Sequence, residues 1–294
     1  TSAPVPVALL VPGGSGQAGD ETLALSLQNA ARMAIADLGG VRIDLRVYKT
    51  GGQPGQAQAM AVRAADEGAK IILGPVFAQE ANAVGVAMAS RGINVLSFSN
   101  NTDIAGGNVF VLGPTFQNTA DRLASYAVRQ GKSKILIVND RNTAGEVGRN
   151  AISRGVASAG GSVVGTASYE FSQNGIVQAT PQIAAQIRST GADAVFMTAD
   201  SSGALPLLTQ MLRDNRIDPS VAQFIGLTRW DIPAATLALP SVQGGWFALP
   251  DPAPNQQYQA GYQSTFGSAP HPISGLAYDG IAAIGALIKQ GNAN

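Results

Sequence analysis

The chain has 294 residues, 45% of them apolar and 13% charged, with 19 basic and 19 acidic side chains in balance. That length is roughly two domains, enough to bury cores without disulfides or metals; the low charge excludes a disordered chain, and a neutral chain without a basic run lacks the field that collects nucleic acid. With no cysteine and one histidine, His271, thiol nucleophiles, iron–sulfur ligation and multi-histidine metal sites drop out, so no cofactor or metal is expected.

Short β-branched runs alternate with longer amphipathic ones, the pattern of parallel strands joined by crossover helices. In chain order, Val5–Val11 predicts a strand and residues 12–19 a glycine-rich loop. Asp20 is placed to cap a helix whose apolar stripe runs Leu23, Leu27, Ala30, Ala34, Leu38, until Gly39 and Gly40 stop it. Strand 41–48, helix 53–67, strand 71–73, helix 80–90, strand 93–96, a polar loop 97–107 and strand 109–112 complete one unit. A second unit alternates helices 119–129, 145–158, 178–189 and 204–213 with strands 135–138, 162–168, 194–198 and 223–226. After Trp246 come Pro250, Pro252 and Pro254, then helices 256–266 and 274–289, which have no strands of their own and are expected to cover a sheet already built. The expectation is an α/β fold class: two doubly wound parallel-sheet lobes with a hinge, lobe one from 1–115 plus 248–294 and lobe two from 116–247. No apolar run reaches the ~18 to 20 residues of a membrane span. Residues 1–6 do not read as a signal peptide, and a chain starting at Thr1 is compatible with a removed leader.

Open α/β sheets bind ligands past the carboxyl ends of their strands, so polar residues there are the candidates. Gly14-Ser15-Gly16-Gln17-Ala18-Gly19 fits G-x-G-x-x-G between a strand and a helix. The next strand ends Tyr48-Lys49-Thr50, without the acid a ribose needs, and no lysine follows at P-loop spacing. The loop therefore reads as offering backbone N–H groups and the Ser15 hydroxyl to some other ligand, with a purely structural turn as the alternative. A nucleophile elbow fails at Gln17, and His271, between two prolines on what should be an exposed loop, is a poor general base, so the chain does not read as an enzyme.

The run Ser97-Phe98-Ser99-Asn100-Asn101-Thr102-Asp103 brings hydroxyls and amides after an apolar strand and contains a glycosylation sequon. Asp200-Ser201-Ser202 and Thr228-Arg229-Trp230-Asp231 follow two more strands. An Arg beside a Trp can pair an anion and stack on a ring; equally, Arg229 can pair with Asp231 while Trp230 fills a gap. The expected cleft sets Ser15, Gln79, Ser97, Ser99, Asn100 and Thr102 of lobe one against Asn142, Asp200, Ser201, Arg229 and Trp230 of lobe two, with no metal site and no catalytic residue.

Residues 7–16 with their helix, Ile71-Ile72-Leu73-Gly74-Pro75, Gly92-Ile93-Asn94-Val95-Leu96-Ser97, Val138-Asn139-Asp140 with Gly145, Gly191-Ala192-Asp193-Ala194-Val195-Phe196, and Phe266-Gly267-Ser268-Ala269-Pro270 before Ala277-Tyr278-Asp279-Gly280 resemble the type I periplasmic binding proteins, specifically the branched-chain-amino-acid type. The resemblance covers nearly the whole chain. It implies an extracytoplasmic, non-enzymatic substrate-binding protein of an ABC transporter, with a small polar, amino-acid-like solute in the cleft between the lobes and a membrane permease as partner. It also implies a final strand pair beyond the last helix; this sequence stops at Asn294, and the pair is expected to have been removed, disordered or lost. Where the family's amino-acid clamp sits, this chain carries Ala78, Gln79, Ser99 and Asn100; Ala144 replaces an aromatic, and Arg229 stands where an acid is expected. A second branch fits these departures. Leu9-Leu10-Val11-Pro12, Tyr48-Lys49-Thr50-Gly51-Gly52 and Leu73-Gly74-Pro75-Val76 are similar to penicillin-binding-protein activators, lipoproteins with a lipidated Cys upstream, a peptidoglycan synthase as partner and a vestigial cleft. Arg229 as an anion site would repel an ammonium, so tight binding of leucine, isoleucine or valine is not expected unless Asp200 supplies the ammonium's partner.

Overall fold

The computed structural model describes residues 3–99, 101, 104–113 and 115–291. The chain divides into two compact units, one of Thr1–Thr115 with Asp251–Asn294 and one of Phe116–Pro250.

The first unit runs β1 (Val5–Val11), α1 (Ala18–Asp37), β2 (Ile43–Lys49), α2 (Pro54–Asp66), β3 (Ile71–Leu73), α3 (Ala78–Ala89), β4 (Asn94–Ser97) and β5 (Val109–Val111). Its strands form one parallel sheet in the order β2-β1-β3-β4-β5. Alternate residues of β1 feed two separate cores: Val7, Leu9 and Val11 pack with α1, while Ala8 and Leu10 pack with α2 and α3. Burial on both faces is why β1 reads as an unbroken apolar run, as parallel strands between helical layers do. The chain returns to this unit for α8 (Pro252–Phe266) and α9 (Gly275–Lys289), and Ala277, Ile281 and Ile284 of α9 complete the core shared with Leu27, Ala30 and Leu73.

The second unit runs α4 (Phe116–Arg129), β6 (Lys134–Asp140), α5 (Thr143–Ser158), β7 (Ser162–Tyr169), α6 (Gln173–Thr190), β8 (Ala194–Met197), α7 (Leu205–Asp214), β9 (Gln223–Gly226) and β10 (Trp246–Phe247). Its parallel sheet has the order β10-β9-β8-β6-β7. Here Leu136 and Val138 of β6 face α6 and α7, and Ile135 and Ile137 face α4 and α5.

The α/β class and the two parallel sheets are those expected. Four details differ. Asp20 is inside the first turn of α1, whose N-cap is Gln17 without a side-chain bond. Helix α6 starts at Gln173 rather than 178, because the Ser172 hydroxyl accepts the Gly175 N–H at 3.0 Å and holds the first turn despite Gly175. Helix α8 starts at Pro252, with the Asp251 carboxylate accepting the Ala253 N–H and prolines in the first turn, where a missing N–H costs nothing. Strand β10 extends the second sheet to a fifth strand, and its two residues are too few to show an alternation in sequence.

Candidate functional site

In each sheet the chain reverses its direction of travel across the strands once. In the first this happens at β1, between β2 and β3; in the second it happens at β6, between β7 and β8. Loops leaving the two strands on either side of such a switch point diverge and leave a crevice. In the first unit these are the loops after β1 and β3; in the second, those after β6 and β8.

The loop after β1 turns through Gly14 (φ +86°) and Gly16 (φ +81°), a conformation L side chains avoid. Its donors turn inward. The Ser15 hydroxyl donates to Asp20 Oδ2 at 2.7 Å, the Gly14 N–H donates to Glu21 Oε1 at 2.6 Å, and the Gln17 N–H is taken by Ser15 Oγ at 3.1 Å. Acids of α1's own first turn thus occupy the positive helix end that a phosphate would need, and the expected offer of backbone N–H groups to a ligand is corrected accordingly. Ser15 itself keeps partial exposure.

Past β3, Gln79 is exposed at the start of α3 and its neighbour Glu80 is wholly buried, 0% exposed, with no hydrogen-bond partner on either carboxylate oxygen. Burial, together with Asp20 nearby, pushes its carboxyl above the usual carboxylate range, while the Thr50 hydroxyl and the Phe77 backbone lie close enough to ease that without satisfying it. Glu80 was not among the candidates, yet a signal existed: it stands at i, i+4, i+8 with Val84 and Met88, an acid on the apolar stripe of α3.

The hydroxyls past β4 are spent within their own loop. Ser97 and Ser99 are buried; Ser97 Oγ donates to the Pro75 carbonyl at 3.3 Å and accepts the Ser99 N–H at 3.0 Å, and Ser99 Oγ accepts the Asn101 N–H at 3.1 Å. Both were expected to face a ligand and instead hold the turn, as serines do when a backbone N–H lies two residues on. Asn100 and Thr102 lie outside the described residues.

In the second unit Asn142 is partly exposed and caps α5, its Oδ1 accepting the Gly145 N–H at 2.7 Å. Past β8, Asp200 is exposed, and Ser201 Oγ donates to the Arg229 carbonyl at 3.2 Å, tying the loops after β8 and β9 together. Arg229 forms a two-pronged ion pair with Asp231, both bonds 2.6 Å, so its charge is neutralised within the loop rather than presented to an anion. Trp230 is 1% exposed and lies in the core, its indole stacked near Phe247 with ring centres 6.0 Å apart. A Cβ on Gly226 or Gly245 would come within 2.1 Å of that ring, so both glycines make room for it. The ligand-facing roles expected of Arg229 and Trp230 are corrected on these two grounds. Beneath Asp200, at the end of β6, Asp140 is buried and accepts a short hydrogen bond from the Tyr169 hydroxyl; burial raises its carboxyl, the phenol lowers it, and Asp200 raises it further. His271 is half-buried rather than exposed, its Nδ1 accepting the Ile273 N–H at 3.2 Å, and burial lowers its pKa.

A family model described as "Periplasmic binding protein" matches residues 4–294. The chain belongs to the periplasmic binding protein family. Members of this family are solute-binding proteins of the extracytoplasmic space rather than enzymes, and among the described residues of this binding protein no helix is long and apolar enough to cross a membrane. Solved structures give the same fold at low identity. An ABC transporter substrate-binding protein from Desulfitobacterium hafniense superposes with a TM-score of 0.79 at 18% identity, over 98% of this chain and 84% of that one. A leucine-, isoleucine-, valine-, threonine- and alanine-binding protein from Brucella ovis gives 0.78 at 18% identity, over 98% and 78%. A solute-binding protein from Rhodopseudomonas palustris, in complex with 3,4-dihydroxybenzoic acid, gives 0.70 at 17% identity, over 99% and 82%. No curated protein matches the sequence.

Proposed function

We propose that this protein captures a small polar solute at the carboxyl ends of its two sheets and delivers it to the membrane permease of an ABC transporter. The observation that carries this reading is the repetition of one arrangement: at the switch point of each sheet, polar side chains with remaining exposure stand on the diverging loops, Ser15, Asp20 and Gln79 in the first unit and Asn142, Asp200 and Ser201 in the second. Contacts from both units to one solute would favour a closed state, and the shift is bounded by the solute's differential affinity for closed over open. The Brucella protein, named for leucine, isoleucine, valine, threonine and alanine, and the Rhodopseudomonas protein, in complex with 3,4-dihydroxybenzoic acid, support solute capture on this fold without choosing among solutes. The alternative of a peptidoglycan-synthase activator rests on the sequence resemblance alone.

A thermal-shift screen against amino acids, amides, amines, sugars, organic acids and peptidoglycan fragments tests the reading. A solute at a hundred times its Kd adds ~2.7 kcal/mol, about 5–10 °C in Tm for units of this size. A screen in which no solute raises Tm overturns solute capture.

A further inference from the structure

Among the described residues, the acids on the first unit's switch-point loops, Asp20, Glu21 and Glu80, form no ion pair. Glu80 is wholly buried with both oxygens unpartnered, and the charged group acting on it, Asp20 from α1, has the same sign. The nearest cation on these loops, Lys49 at the end of β2, runs alongside Gly13 and Glu21 instead. Around Gly52 three groups converge: a Cβ there would lie 3.6 Å from the Phe77 ring, 3.8 Å from Asp20 Oδ2 and 4.0 Å from Ser15 Cβ. Phe77 is 40% exposed, although a phenyl ring at the mouth of a buried sheet has apolar surface to lose by staying in water.

The second unit repeats the arrangement with unrelated residues. A Cβ on Gly203 would lie 2.6 Å from Asp200 Oδ1 and 3.3 Å from the Phe171 ring, and Phe171 is 52% exposed. Below it a second acid, Asp140, is buried; Tyr169 holds it, and the charge acting on it is again an aspartate, Asp200. Of the two arginines on these loops, Arg229 is closed on Asp231, and Arg141, directly after β6, is exposed with its Nε donating to Ser168 Oγ at 3.0 Å.

An exposed aromatic ring beside a carboxylate that keeps at least partial exposure, with a buried carboxyl in no ion pair nearby, is a receptor for positive charge on an apolar body. Resting on the solute-capture reading above, we propose that the solute is an organic cation carrying ammonium or guanidinium groups, and that Asp20 with Phe77 in the first unit and Asp200 with Phe171 in the second are each suited to receive such a group. A metal ion is the poorer occupant: among the described residues no three His, Cys, Asp or Glu side chains group to hold one, and phenyl rings have no use for a hydrated ion.

The test is isothermal calorimetry on the whole protein at pH 7 and low salt with L-arginine, agmatine and putrescine, set against 1,4-butanediol, succinate and leucine, and extended to the solute library. The inference expects saturable binding by at least one cation, weakened about tenfold or more by Asp20→Asn and by Asp200→Asn. Asp200 is exposed and Asp20 partly so, Asp20→Asn keeps an oxygen to accept the Ser15 hydroxyl, and circular dichroism checks that the variants fold. Saturable binding only by neutral or anionic solutes, or cation binding untouched by both Asn variants, overturns the inference and leaves solute capture standing. No binding anywhere in the library overturns both.

Discussion

One step along α3 separates an exposed amide, Gln79, from a carboxyl with no access to water, Glu80. The helix period decides this, since residue 80 falls in line with Val84 and Met88 and residue 79 does not. The consequence for stability has a definite sign. Burial raises the folded-state pKa of Glu80, so the folded protein holds that proton more tightly than the unfolded chain. The stabilisation is complete below the unfolded value of about 4.3 and is lost as pH rises through the raised folded value. Scanning calorimetry between pH 4.5 and 8 should therefore show the Tm of the native protein falling relative to that of Glu80→Gln as pH rises. Parallel curves for the two proteins would show that Glu80 is not held in its neutral form.

At the scale of elements, the loops past the strands do two jobs with the same residue types. Asn142 is a polar residue just past a strand, which made it a ligand candidate, and it is also the N-cap of α5. An N-cap amide or carboxylate is worth ~0.5–2 kcal/mol over alanine. Urea denaturation should accordingly find Asn142→Ala destabilised by about 1 kcal/mol and Asn142→Asp close to native. An Ala variant as stable as the native protein would free Asn142 from the helix and return it to the ligand's side of the account. Ser97 and Ser99 show the same ambiguity resolved toward structure, and Arg229 shows it for charge. With Arg229 closed on Asp231, the case against leucine, isoleucine and valine that rested on its repelling an ammonium falls.

For the whole molecule, each unit has its own pair of cores, one on each face of its sheet, and the chain passes between the units at 115/116 and at 250/251. Units with separate cores can move about such connections without unpacking either. Closure on a solute would be seen by small-angle scattering as a fall in radius of gyration at saturation with whichever solute the thermal screen identifies. A radius unchanged at full occupancy would remove closure from the mechanism while leaving binding intact.

The amino-acid sequence by itself determined the architecture. Unbroken apolar runs such as Val7–Val11, alternating with amphipathic stretches such as Leu23 to Ala34, dictate strands buried on both faces by helices, because burial of each residue type is decided by local spacing and needs no knowledge of distant partners. The tertiary structure alone decided which polar groups at the strand ends remain available. Whether Ser15 offers its hydroxyl outward or to Asp20, whether Trp230 stacks on a solute or fills the space over Gly226 and Gly245, and whether an acid such as Glu80 meets a cation or only Asp20 depend on which groups the folded chain brings within a few ångströms of one another. A hydrogen bond or an ion pair is short-ranged and saturable, so it goes to the partner that packing puts first, and residue type at a strand end does not reveal which partner that is.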